Sequence, residues 1–161
     1  MGNLTIATIV MFVPLAYSLA VAIPLAVIDL RERRLPNKLV LPNLAISLLA
    51  VLFAIGLGEW QRGLVALGIS VLVFGVGLFI SIKGWLGMGD VKLLTALSLS
   101  LSWFSVWNIP IVLGVSVAVV AVAIAIRYFT KRIHIGSTIA MGPYILAVSS
   151  VLSGNILLGA F

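Results

Sequence analysis

Six long apolar runs, separated by short polar turns, account for most of the chain: about Leu4 to Ile28, Leu39 to Leu57, Leu64 to Ile82, Val91 to Trp103, Ile109 to Ile126 and Thr138 to Leu158. A span needs about 20 apolar residues and must satisfy its own backbone hydrogen bonds, so such runs predict helices. The chain is 63% hydrophobic and 9% charged, with a mean hydropathy of +1.31, too apolar for a soluble domain to cover its own surface. The expectation is an all-α integral membrane protein, a bundle of about six transmembrane helices with short loops, forming a single membrane-embedded domain over 1–161. The first run has no Lys or Arg before it and outlasts a signal-peptide core, so it reads as a retained helix. The fourth run is short for a full span, which suggests a partly buried entry shared with the Gly84 to Gly89 segment.

Charge placement gives the orientation. Arg31, Arg33, Arg34 and Lys38 follow the first run, Lys83 and Lys92 flank the turn before the fourth, and Arg127, Lys131 and Arg132 follow the fifth. Alternating spans place all of these on one side and leave Arg62 alone on the other. The positive-inside rule makes that side the cytoplasm of a cytoplasmic (inner) membrane, with both termini outside. The net charge of +6 is thus a topology signal spread over turns, not a face for nucleic acid. Trp60, Trp103 and Trp107 fall at outer span ends and Trp85 at an inner one, as interfacial anchors do. With no Cys and a single His, His134, in a basic loop, neither a thiolate nucleophile nor a metal site can be assembled.

Only two aspartates occur, Asp29 and Asp90, each where an apolar run meets a polar, Gly- or Pro-containing turn. An ionisable group near bilayer depth costs roughly 2.5–3.5 kcal/mol on insertion scales, which makes each a site candidate. The predicted topology puts both at cytoplasmic helix ends, where they can meet. A pair of carboxylates sharing one proton can hydrolyse a peptide bond, the ionised member taking a proton from water while the other donates to the carbonyl oxygen. Gly87 and Gly89, having no side chain, allow close approach of substrate backbone or a partner helix. The plainer reading makes Asp90 the N-cap of the fourth helix and Asp29 a counter-charge to the basic loop. Lys92 reads first as an interfacial cation and second as a group that tunes the acid pair.

The segment Asp29-Leu30 through Leu35-Pro36-Asn37, with Gly87-Met88-Gly89-Asp90-Val91-Lys92-Leu93-Leu94, resembles the two signature motifs of the type IV prepilin peptidases, a branch of the G-x-G-D membrane aspartyl proteases. The resemblance implies that Asp29 and Asp90 are the catalytic pair and that Gly87, Gly89, Lys92, Pro36 and Asn37 shape the site or contact substrate. It implies an aspartic-type endopeptidase, with no cofactor, that removes the short basic leader of pilin-like precursor proteins at the cytoplasmic face. Gly142-Pro143-Tyr144 resembles a weaker family motif, and Gly142 and Pro143 enter as a wall of the site. Larger members add a Cys-bearing segment and methylate the new N-terminus. The short loop after the first run and the lack of Cys point to cleavage without methylation, as in the form serving Flp (tight-adherence) pili. Leu35 stands where Ile is usual and Ser98 where a Gly is.

Rival readings are a small proton-coupled transporter with an intramembrane carboxylate relay, and a noncatalytic scaffold in which either Asp tolerates Asn. Transporters carry inverted repeats and midplane sites, whereas here no repeat is visible and both acids sit at one end. Signal-peptide-peptidase-like proteases share G-x-G-D but carry Pro-Ala-Leu where this chain has Gly142-Pro143-Tyr144. A nucleophile–lysine pair has one candidate, Lys92 with Thr95 on a shared helix face, since Ser81 and Lys83 diverge.

Overall fold

A computed structural model describes residues 6–32, 35–84, 86–129 and 141–159, with backbone alone for 123–129. The described residues form six helices and no strand: α1 (Ile6–Glu32), α2 (Asn37–Gly56), α3 (Trp60–Ile82), α4 (Met88–Phe104), α5 (Asn108–Phe129) and α6 (Gly142–Gly159). All six expected runs are present. Two boundaries move in ways that bear on the site. α1 continues past Ile28, so Asp29 lies inside its last turn, and α4 begins at Met88 and draws the Gly-Asp motif into its first turn; α6 is described from Gly142, and the expected start at Thr138 lies outside the described residues. Pro36 is the residue before α2, extended at φ −69° and ψ 126°, and its carbonyl accepts the N–H of Leu39 and Val40. The turns after α2 and α3 close through Gly58 and Gly84, at φ 97° and 75°, a left-handed region that glycine enters without strain.

α4 is the axis of the bundle. It touches each of the other five helices, which follow one another around it in the order α3, α2, α1, α6, α5. Every residue from Leu93 to Trp103 is buried. A helix buried all round needs no amphipathic stripe, and this one carries hydroxyls that turn back on its own backbone: Thr95 donates to the Val91 carbonyl (2.7 Å) and Ser98 to that of Thr95 (2.8 Å). At the far end the Asn108 side chain donates to the Leu101 carbonyl at 2.9 Å, meeting one of the acceptors a helix terminus leaves open.

α1 carries Pro14 and Pro24 within its length. Near the first, Ser18 lies 2.8 Å from the Pro14 carbonyl and 3.1 Å from the side-chain oxygen position of the fully buried Asn43 on α2. One hydroxyl proton serves one acceptor, so the amide orientation that satisfies the group presents Asn43 Nδ2 to Ser18 Oγ. This polar contact couples α1 to α2 inside the bundle, where no hydrophobic drive distinguishes a neighbouring helix from lipid.

Four helices, α1, α2, α3 and α6, are long and apolar enough to cross a membrane, and the outward faces carry large apolar side chains such as Leu72, Phe79 and Ile82. The chain is a multi-pass membrane protein. Trp60 and Trp107 are exposed at helix ends, but Trp103 is only 4% exposed and packs with Met11, Val51 and Leu99. Its anchoring role is corrected to a core role, because apolar side chains of α1, α2 and α3 close around it. Arg33, Arg34, Trp85, Lys131, Arg132 and His134 lie outside the described residues.

Candidate active site

Asp29 stands on the last turn of α1 and is 5% exposed. The helices that bury it include α6, whose first residue, Gly142, directs its backbone N–H to the Asp29 carboxyl. That N–H belongs to the first turn of α6, where donors have no partner within the helix. Asp90 is the third residue of α4, not its N-cap; the N-cap is Gly87, whose N–H reaches the Asp90 carboxyl. This is the backward half of a capping box, so Asp90 helps to start α4 and still keeps one oxygen for other work.

The two free oxygens face each other's space. Asp29 Oδ2 and Asp90 Oδ1 are buried and have no hydrogen-bond partner among the described residues. A Cβ placed on Gly142 would lie 2.5 Å from Asp29 Oδ2 and 3.3 Å from Asp90 Oδ1. Both carboxylates therefore converge on one point, and the two oxygens are no farther apart than those distances together. Helices one, four and six meet there.

Beside the acids lies a cavity of about 410 Å³ lined by Asp29, Leu35, Asn37, Gly87, Met88, Gly89, Asp90 and Lys92. Its size falls within the range of small-ligand pockets, roughly 300–1,000 Å³. Lys92 Nζ donates to Asn37 Oδ1 at 3.0 Å on the exposed rim. Thr95 is committed to the Val91 carbonyl, so the Lys92–Thr95 nucleophile pair is not assembled. Lys83 rests over the Phe79 ring, 4.8 Å from its centroid.

Of the residues singled out by sequence, Asp29, Asp90, Gly87, Gly89, Lys92 and Asn37 line this one cavity, and Gly142 abuts both acids. Pro36 sits at the start of α2 beside the lining. Pro143 lies elsewhere, in an apolar groove with Ala22, Ala26 and Leu146 between α1 and α6. Leu35 and Met88 are additional lining residues; their place inside the two motif segments was the available signal. Among the described residues no group of three or more His, Cys, Asp or Glu side chains is placed to hold a metal.

Two carboxyl groups held around a common point, each with an oxygen free, are equipped to pass protons to and from a small molecule between them. Wider comparison agrees with that chemistry. No curated protein and no solved structure matches the chain. The type IV leader peptidase family matches it over residues 15–158, a stretch that runs from the middle of α1 to the end of α6 and takes in both aspartates and Gly142. That span covers most of the sequence, and the chain belongs to the type IV leader peptidase family.

Proposed function

We propose that the chain is an aspartyl endopeptidase that removes the short basic leader of type IV pilin-like precursors, of the Flp (tight-adherence) kind, at the cytoplasmic membrane face. In this reading residues 1–161 act as one membrane-embedded domain, with the termini outside and Asp29 and Asp90 on the cytoplasmic side. The charge pattern supports that orientation: Arg31, Lys38, Lys83 and Lys92 accompany the acid-bearing end, while Arg62 stands alone opposite.

The observation that carries the reading is the convergence of Asp29 Oδ2 and Asp90 Oδ1, both unpartnered, on the space before Gly142. A water there loses a proton to the ionised carboxylate as its oxygen adds to the scissile carbonyl. The carbonyl oxygen takes a proton from the other carboxyl, giving a neutral tetrahedral diol. Collapse breaks the C–N bond: the departing nitrogen receives a proton from the protonated carboxyl while a diol hydroxyl returns one to the ionised carboxylate, leaving a carboxylic acid, an amine and the pair again with one proton. Like charges this close cannot both ionise, so the pair works with one proton between them. No cofactor enters. Gly87, Gly89, Asn37, Lys92 and Pro36 shape the approach to the acids, and Gly142 forms the α6 side. The short connection between α1 and α2 supports cleavage without methylation of the product.

The test is co-expression with a pilin precursor of the same genome, followed by mass spectrometry of the pilin N-terminus. Wild type is expected to yield leaderless, unmethylated pilin. Asp29→Asn and Asp90→Asn, expressed to the same level, are each expected to lower processing by about 10²–10⁴-fold, the usual share of general acid–base catalysis. Processing that survives either change removes the acid-pair reading.

A further inference from the structure

The two glycines of the Gly87-Met88-Gly89-Asp90 segment are small for different reasons. A Cβ on Gly87 would stand 3.1 Å from Oδ2 of Asp90 itself. A Cβ on Gly89 would stand 2.9 Å from Leu35 Cβ, and 3.5 and 3.6 Å from the Leu35 backbone N and Cα. What comes close to Gly89 is the segment between α1 and α2. Two residues later along that segment, Asn37 accepts the hydrogen bond from Lys92, one turn beyond Gly89 on α4. The connection after Asp29 is thus fastened to the helix start that bears Asp90 at two points, one steric and one polar.

We infer that Leu35 seated on Gly89, with Asn37 bonded to Lys92, forms a clasp that sets the separation of Asp29 and Asp90. Leu35, Asn37 and Lys92 are then positioning residues, none of which touches the reacting atoms. Asp29 is three residues from the end of α1, and the fastened segment follows within a few more, so slack in the segment passes to the last turn of α1. Leu35 also packs against the main core cluster, which anchors the clasp to the bundle. Lys92 fits this role better than direct action on the acids, since its ammonium is held by Asn37 at the rim. A shift of about 1 Å in a reacting pair can cost about 100-fold in rate.

The inference rests on the peptidase reading for its kinetics, and a cross-link tests its geometry independently. The chain has no Cys, so Leu35→Cys with Gly89→Cys introduces one thiol pair. Mild oxidation in native membranes is expected to close an internal disulfide, because the two Cβ positions stand 2.9 Å apart and need to part by only about 1 Å to reach disulfide geometry. No disulfide overturns the clasp. For the kinetics, Gly89→Ala is expected to lower kcat about 100-fold with KM little changed, Leu35→Gly alone to lower it about tenfold, and Gly89→Ala to cost little more in the Leu35→Gly background, where the atom it meets is gone. Lys92→Ala and Asn37→Ala are each expected to lower kcat about tenfold, the double variant no further, and Lys92→Arg to retain activity. A Lys92→Ala loss far above that of Asn37→Ala, additive in the pair, would assign Lys92 to the acids or substrate and overturn the positioning role. Additive losses from Gly89→Ala and Leu35→Gly overturn the steric half. A wild type that cuts no precursor counts against the peptidase reading, and with it the kinetic role, while the disulfide still reports the geometry.

Discussion

A methyl group at position 142 has nowhere to go. It would stand 2.5 Å from Asp29 Oδ2 and 3.1 Å from Asp29 Cγ, well inside van der Waals contact, so Gly142→Ala must displace α6 or turn the Asp29 carboxyl. Either movement breaks the alignment of the acids, and cleavage is expected to fall about 100-fold while expression stays normal, checked by quantifying processed pilin against enzyme level. Retention of full activity would remove Gly142 from the site. At this scale the sequence was legible where rarity made it so. Two aspartates in so apolar a chain stand out, and the two motif segments contain every lining residue of the cavity. The plain alternative for Asp90 was half right in physical terms, since its carboxyl does meet an N-terminal N–H of α4, from N3 rather than from the N-cap. That Gly89 faces Leu35, and that Trp103 is core, depends on which helices abut, and spacing along one helix does not contain it.

Helix lengths follow from hydropathy and were readable to within a few residues, except where polar groups continue a helix. α1 runs on through Asp29 to Glu32, with Arg31 in the last turn, where a cation suits the helix C-terminus. α4 starts early because Gly87 and Asp90 supply a polar start that an apolar window overlooks. Between elements, the Ser18–Asn43 contact couples α1 to α2 in a fully buried setting. Asn43→Ala and Ser18→Ala are each expected to lower unfolding stability in bicelles by about 1 kcal/mol, with the double variant less than additive. Additive losses would mean that the two side chains act apart.

The bundle as a whole encloses its least apolar helix. α4, with Thr95, Ser98, Ser100 and Ser102 buried along it, sits inside, whereas the most uniformly apolar runs face outward. The short fourth run hinted at burial, but its place at the axis comes from contacts among all six elements. A phospholipid carrying a photoactivatable acyl chain is expected to label peptides of α3 and the outer face of α2 and to spare Leu93 to Trp103, as read by mass spectrometry. Equal labelling of α4 would contradict the arrangement. The convergence at Gly142 has a further bearing, on the order of assembly. Asp29 belongs to the first helix made and Asp90 to the fourth, yet the residue that both confront opens the last. A chain still emerging from the ribosome, with both acids already inserted, lacks the backbone N–H that meets one of them and the wall they share. The site is thus finished in the same step that closes the bundle, when the sixth helix docks against the first.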